Sequence, residues 1–339
     1  MKQLTSILGR LLISVCALGL VVHNVDFSQL AVALAGIDAT HWPALALLAM
    51  LSWLLMCWRL QVLFPDRQGV LMRHCSLALG VGVLGNLLLP LRAGDFLRCA
   101  VLKHVAPATR VSGIISTLAL EKLLELIAVA AILFAWAMVL ILPREVGAAS
   151  MRVVAAALFA VGAVFIAWAM RRRIVGLLEF MASAPGWYGG IARRLLILVE
   201  ELQLFLNWRR IAAAGLLTAL LRLVEASMFF LLAQTANIPL TLPQAFLVMG
   251  MIAIATAIPA APGFLGTYEA AGVLALSLIG IAKVDALAYV LASHMWFIGV
   301  WLIIGLISIA CLPIPLRGIL AQRDSDATTG NGVVTPDSR

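Results

Sequence analysis

Ile258-Pro259-Ala260-Ala261-Pro262-Gly263-Phe264-Leu265-Gly266-Thr267-Tyr268-Glu269 interrupts an apolar tract that would otherwise pass for one membrane span. Proline removes a backbone donor and glycine admits positive φ, so a helix does not run through this stretch. The tract from Gln244 to Ala282 therefore reads as two half-length helices joined by a break. A second short tract, Cys75–Pro90, is followed by Leu91-Arg92-Ala93-Gly94-Asp95-Phe96-Leu97-Arg98 and is flanked on both sides by basic sequence. Around these two breaks the rest of the chain is long and apolar.

Of the 339 residues, 63% are hydrophobic and only 12% charged. Soluble domains carry roughly 25% charged residues, so this surface is built for lipid. Apolar runs at Ile7–Val22, Ala44–Trp58, Val111–Leu142, Val153–Met170, Ile211–Ala233 and Ala286–Leu312 mostly approach the ~20 residues that cross a bilayer as a helix. The first run lacks a clean small-x-small cleavage site and is expected to remain as a span. The net charge of +8 calls for no nucleic-acid partner, because the basic residues sit in short loops and set topology. Arg67, Arg73, Arg92, Arg98, Lys103 and Arg110 cluster after the second run, and Arg171–Arg173 with Arg193, Arg194, Arg209 and Arg210 after the run that ends at Met170. These segments are expected on the cytoplasmic side of a bacterial inner membrane, with both termini. The five cysteines show no Cys-x-x-Cys spacing, and neither a metal nor a cofactor is expected.

If Cys75–Pro90 crossed, Arg92 to Arg110 would fall outside, against the charge rule. His74–Val105 is therefore expected to be a re-entrant hairpin from the cytoplasmic side, and Gln244–Ala282 one from the opposite side. The fold class is an all-α polytopic bundle of about six full spans plus two re-entrant hairpins, arranged as an inverted repeat. The first repeat covers about 43–142 and the second about 209–312. An interfacial helix at about 174–208 lies between them, residues 1–316 form the membrane domain, and 317–339 are a polar tail. Eight full spans with plain interhelical loops is the competing reading. The tryptophans Trp42, Trp53, Trp136, Trp187 and Trp208 read mainly as an aromatic belt near span ends.

Charges inside spans cost ~2.5–3.5 kcal/mol each on translocon scales, so they are paired, hydrated or both. Glu121, Lys122 and Glu125 lie within one run, and Arg222 and Glu225 within another. Asn86, Arg92, Asp95 and Arg98 sit at the first break and Glu269 at the second, with Arg59 and His294 flanking other spans. Glu121 and Glu125 share a helix face and are expected to meet the arginines of the first break. Pro90, Gly94, Pro262, Gly263 and Gly266 are the expected hinges. Internal ion pairs that hold helix register would explain the charges without any guest. A polar midplane cavity would use them to bind one, and the surplus positive charge at Arg92 and Arg98 suits phosphate oxygens.

These residues carry a family resemblance. Gly85-Asn86-Leu87-Leu88-Leu89-Pro90-Leu91-Arg92-Ala93-Gly94-Asp95-Phe96-Leu97-Arg98 resembles the Asn–Pro–Arg–Gly–acid–Arg motif of the lysylphosphatidylglycerol synthase transmembrane-region family, a flippase-like domain. Leu120-Glu121-Lys122-Leu123-Leu124-Glu125 resembles its acidic-basic helix, with Lys122 for the usual Arg and Glu125 for the usual Asp. Pro262-Gly263-Phe264-Leu265-Gly266-Thr267-Tyr268-Glu269 resembles its Pro-Gly–Gly–Glu motif. The resemblance implies translocation of an anionic phospholipid, an aminoacylated lipid or a polyprenyl-phosphate-linked lipid. It implies no catalytic residues: members that aminoacylate lipid use an additional cytoplasmic domain, and none is expected past Leu316. Membrane lipids are the expected partners, and a separate lipid-synthesising enzyme or glycosyltransferase is a candidate one. An intramembrane lipid-modifying enzyme using the same carboxylates, or an accessory subunit of envelope biosynthesis, are the alternatives.

Overall fold

The computed structural model describes residues 19, 23, 25–36, 38–64, 69–89, 92–139, 171–182, 189–191, 207–257 and 261–313. The expected first span at 7–22 apart from residue 19, the run at 153–170, Pro90, most of the interfacial stretch and the tail at 317–339 lie outside these residues.

Among the described residues every regular element is helical: α1 (Phe27–Ala35), α2 (Trp42–Leu63), α3 (Met72–Leu88), α4 (Gly94–Val105), α5 (Val111–Val139), α6 (Arg171–Ala182), α7 (Trp208–Thr235), α8 (Leu242–Ala257), α9 (Thr267–Leu278) and α10 (Lys283–Ala310). Three of them, α2, α7 and α10, are long and apolar enough to cross a membrane. At 1.5 Å per residue the 29-residue α5 also has the length to do so. The chain is a multi-pass membrane protein whose apolar side chains face outward as well as inward. Leu47, Met50, Leu54, Leu216, Ile303, Leu306 and Ile307 are all exposed, as lipid-facing positions are. The helix at Arg171 begins before the interfacial segment expected from 174, and its Leu177 and Phe180 are exposed.

Both breaks are real interruptions. Helix α3 ends at Leu88, with the Leu89 amide donating to the Gly85 carbonyl, and α4 restarts at Gly94. Helix α8 ends at Ala257, a short 3₁₀ turn covers Pro262–Phe264, and α9 starts at Thr267. Gly263 and Gly266 take φ of 67° and 84°, a region that favours glycine. Gly94 is a correction to the hinge assignment: it is the first residue of α4, not a turn residue. A β-carbon there would overlap the Gly82 carbonyl oxygen, so its smallness serves close approach of α3 and α4. Gly85 packs against the Gly94 backbone in the same way.

Two apolar cores result. Helices α2 to α5 gather Cys57, Leu60, Cys75, Leu79, Leu102 and Ile114. Helices α7 to α10, with Leu45 and Ala49 of α2, gather Phe229, Leu232, Val248, Leu276, Leu287 and Val290. Small residues set the spacing where the halves meet. Gly80 faces Ser308, and Gly305 faces Leu84, so α3 and α10 cross with almost no side chain between them. Helix α10 buries Ala286–Val290, Ser293 and His294, packs Trp296, Phe297 and Val300 against the core, and buries Gly305 and Ser308 further along. Trp53 lies in the middle of α2 against Trp301, with ring centroids 6.2 Å apart. It is an internal contact, not part of a belt at the span ends.

Candidate functional site

Between the two cores lies a cavity of about 290 Å³. Each broken helix contributes to it. Asn86, Leu87 and Arg92 come from the first break, Gly263 and Phe264 from the second. Asp95 and Arg98 follow on α4, Glu121, Lys122 and Glu125 on α5, and Arg222 and Glu225 on α7. Thr256, Tyr268 and His294 add polar atoms, and the rest of the lining is mostly apolar, with Met56, Leu79, Met228, Phe229, Met249, Ile252, Phe297 and Trp301. The cavity is thus polar along the charged helices and mostly oily elsewhere, which is the division an amphipathic guest requires.

The charges are wired in a chain. Arg98 Nη2 donates to Glu121 Oε2 at 2.6 Å, and Arg59 Nη2 donates to Glu121 Oε1 at 2.6 Å. The same Arg59 nitrogen reaches Glu125 Oε1 at 2.7 Å, and Lys122 Nζ reaches Glu125 Oε2 at 3.0 Å. Arg222 and Glu225 pair along α7 at 2.8 Å. Arg92 and Arg98 hold Asp95 only loosely, at 3.9 Å each. Five cations, Arg59, Arg92, Arg98, Lys122 and Arg222, stand against four carboxylates, Asp95, Glu121, Glu125 and Glu225, leaving one net positive charge.

Several donors in this wall are unspent. The Nε atoms of Arg92, Arg98 and Arg222 are buried and have no hydrogen-bond partner among the described residues, and neither has the Oδ1 of Asn86. Buried polar groups are nearly always satisfied, and these four, like Nε and Nη1 of Arg59, lack a partner among the described residues. Arg92 also takes a positive φ of 54°, and its guanidinium carbon lies 6.0 Å from the Phe264 ring. That conformation is strained for a side chain of this size.

The second break has its own polar centre behind the cavity lining. Glu269 does not sit in the turn but in the first turn of α9, where Oε2 accepts from the Gly266 amide at 2.7 Å. Its Oε1 lies 2.6 Å from His294 Nδ1, and His294 Nε2 lies 2.9 Å from the Gly263 carbonyl. Tyr268 stacks on the imidazole at 4.0 Å between centroids. Glu269 does not itself line the cavity, whereas His294 and Tyr268 do.

Two residues of this arrangement stood outside the candidate set read from sequence. Arg59 is fully buried on α2, and the signal for it was a lone arginine near the end of an apolar run. His294 had the same kind of signal, a single imidazole within a span. Neither residue announces its partner, because the partners lie 62 and 25 positions away in the chain. Among the described residues no group of three or more metal-ligating side chains occurs. Cys57 and Cys75 are buried thiols and Cys311 is an exposed one.

The family described as Lysylphosphatidylglycerol synthase TM region matches residues 7–306, nearly the whole chain. No curated protein and no solved structure matches it.

Proposed function

The chain belongs to the lysylphosphatidylglycerol synthase transmembrane-region family, and from that premise we propose that it carries a phosphate-bearing lipid between the leaflets of a bacterial inner membrane. The observation that carries this reading is a cavity whose one wall carries Arg92, Arg98, Lys122 and Arg222 and whose remainder is mostly apolar. Guanidinium groups match phosphate oxygens in charge and geometry. The apolar lining would shelter the first part of an acyl chain. An anionic phospholipid, an aminoacylated lipid and a polyprenyl-phosphate lipid share this chemistry.

In this reading α3–α4 and α8–α9 are re-entrant hairpins from opposite leaflets, halves of an inverted repeat within about six full spans. Irregular backbone at membrane depth is tolerated where it is buried or lines a cavity, and both breaks line this one. Rocking of one repeat against the other would expose the cavity to each leaflet in turn. The termini are cytoplasmic by the distribution of Lys and Arg. The chain acts as a carrier and leaves lipid chemistry to a separate lipid-synthesising or glycosyltransferase partner.

The test is reconstitution into liposomes with a labelled phosphatidylglycerol. Leaflet exchange above that of protein-free liposomes supports the carrier reading. A chemically altered lipid would instead make the chain an enzyme, and neither outcome would make it an accessory subunit.

A further inference from the structure

Both ring nitrogens of His294 face acceptors. Nε2 points at the Gly263 carbonyl oxygen at 2.9 Å, and Nδ1 points at Glu269 Oε1 at 2.6 Å. A carbonyl cannot donate, so Nε2 must carry hydrogen. The short contact at Nδ1 then needs a second proton, placed either on the ring beside a carboxylate or on the carboxyl beside a neutral ring. The other carboxylate oxygen is already taken by the Gly266 amide. The pair therefore stands as drawn only while it holds one shared, exchangeable proton. His294 is 3% exposed and Glu269 1%, so an uncompensated charge there would be costly.

We propose that Glu269 and His294 form a proton-binding site whose occupancy is linked to occupancy of the cavity by a lipid phosphate. This rests on the carrier reading of the cavity. With the proton bound, the dyad ties α10 to both positive-φ glycines of the second break, Gly263 and Gly266. When the proton leaves for the water of the cavity, one N–H must serve two acceptors, and the turn loses a tie to α10. The charge left behind is negative. It appears beside the turn whose Phe264 lies under Arg92, the cation least engaged by carboxylates. A negative charge there competes with a phosphate for Arg92, so proton loss weakens phosphate binding, and by linkage phosphate binding draws a proton in.

The other ionisable groups facing this region leave the assignment in place. From the first break come Arg92 and Asp95, loosely paired. From α5 comes Lys122, bound to Glu125, and from α7 Arg222, bound to Glu225. Tyr268 of α9 shares a hydrogen bond with Ser293, and Tyr289 of α10 donates to the Phe229 carbonyl. Among these described groups, only His294 and Glu269 share a proton across the second break.

Two measurements on the full chain test this. The first is the Kd of a phosphatidylglycerol with a fluorescent acyl chain, for protein in nanodiscs of neutral lipid. It should rise roughly tenfold from about pH 6 to about pH 9 in the wild type and stay flat in His294→Gln. The second follows thiol labelling of Leu265→Cys, an exposed turn position, with the other cysteines replaced by serine. Labelling should be several-fold slower than in the same protein carrying His294→Gln at about pH 6, and equal to it at about pH 9. Glu269→Gln should behave as His294→Gln in both, which guards against a single variant that fails to fold. If the probe binds with the same pH dependence in all three proteins, and the labelling ratio does not move with pH, the proton site is overturned while the carrier reading stands. If the probe does not bind at all but the labelling ratio moves as expected, the lipid reading fails and the proton site survives.

Discussion

Arg59 and Glu121, 62 residues apart in the chain, meet at 2.6 Å with side chains 0% and 1% exposed. Arg59 also holds Glu125, so one guanidinium from α2 bridges two carboxylates of α5. Removing it leaves Glu121 with Arg98 alone, in a place where water cannot compensate. Breaking a buried pair from one side costs about 3–5 kcal/mol. Arg59→Ala is expected to lose about that much stability, and Arg59→Lys to recover part of it, since its ammonium keeps the charge but not the position of Nη2. Thermal unfolding in detergent reads both. A melting temperature unchanged in Arg59→Ala would mean that the pair contributes nothing to the fold.

Gly94→Ala probes the approach of α3 to α4. Its β-carbon would strike the Gly82 carbonyl and the Asn86 amide, both backbone atoms that cannot swing aside. The expected loss is about 1–3 kcal/mol, the usual cost of overpacking. Gly299→Ala on α10 is the matched control, because nothing lies within 4 Å of its β-carbon position. It should be neutral or slightly stabilising, since alanine favours a helix over glycine. Equal melting temperatures for the two variants would show that α3 and α4 are not packed as closely as described.

The breaks and most of the charged wall were legible in the sequence, whereas the partners within the wall were not. Proline and glycine announce a helix break locally, so α3–α4 and α8–α9 appear close to where composition places them. Lys122–Glu125 and Arg222–Glu225 are three residues apart on one helix, so spacing alone joins them. Arg59 and His294 are different. Each is one polar residue in an apolar run, and what makes it matter is a tertiary contact that no local period encodes. Gly94 shows the same limit, because a glycine needed for close packing looks like a glycine needed for a turn.

The lengths of α3 and α4 make a prediction about sidedness. With 17 and 12 residues they extend about 26 and 18 Å, short of the ~30 Å of hydrocarbon. Cysteines at Leu71 and Ala108, both exposed positions flanking the pair, should therefore react with a membrane-impermeant reagent from the same, cytoplasmic side. Reaction from opposite sides would make the pair a crossing and remove the first re-entrant hairpin.

Arg92 separates a role in the guest's binding from a role in the fold. Among the described residues its one ion pair is with Asp95 at 3.9 Å, both side chains are about a third exposed, and such pairs contribute about 0–1 kcal/mol. Its positive φ costs energy that no described contact of Arg92 clearly repays. Arg92→Ala should then unfold at nearly the wild-type temperature yet exchange labelled phosphatidylglycerol about tenfold more slowly, the loss of one charge-assisted contact. Arg92→Lys keeps the charge but not the two-pronged geometry, so it should recover only part of the rate. Lys122→Ala is the informative comparison. Lys122 is bound to Glu125, and removing it leaves that carboxylate to Arg59 alone and makes the wall more negative toward the cavity, which should repel a phosphate more than the loss of Arg92 fails to attract one. Wild-type exchange in a well-folded Arg92→Ala would show that the strained arginine does not touch the lipid, and with it the charged wall would lose its claim to be a phosphate site.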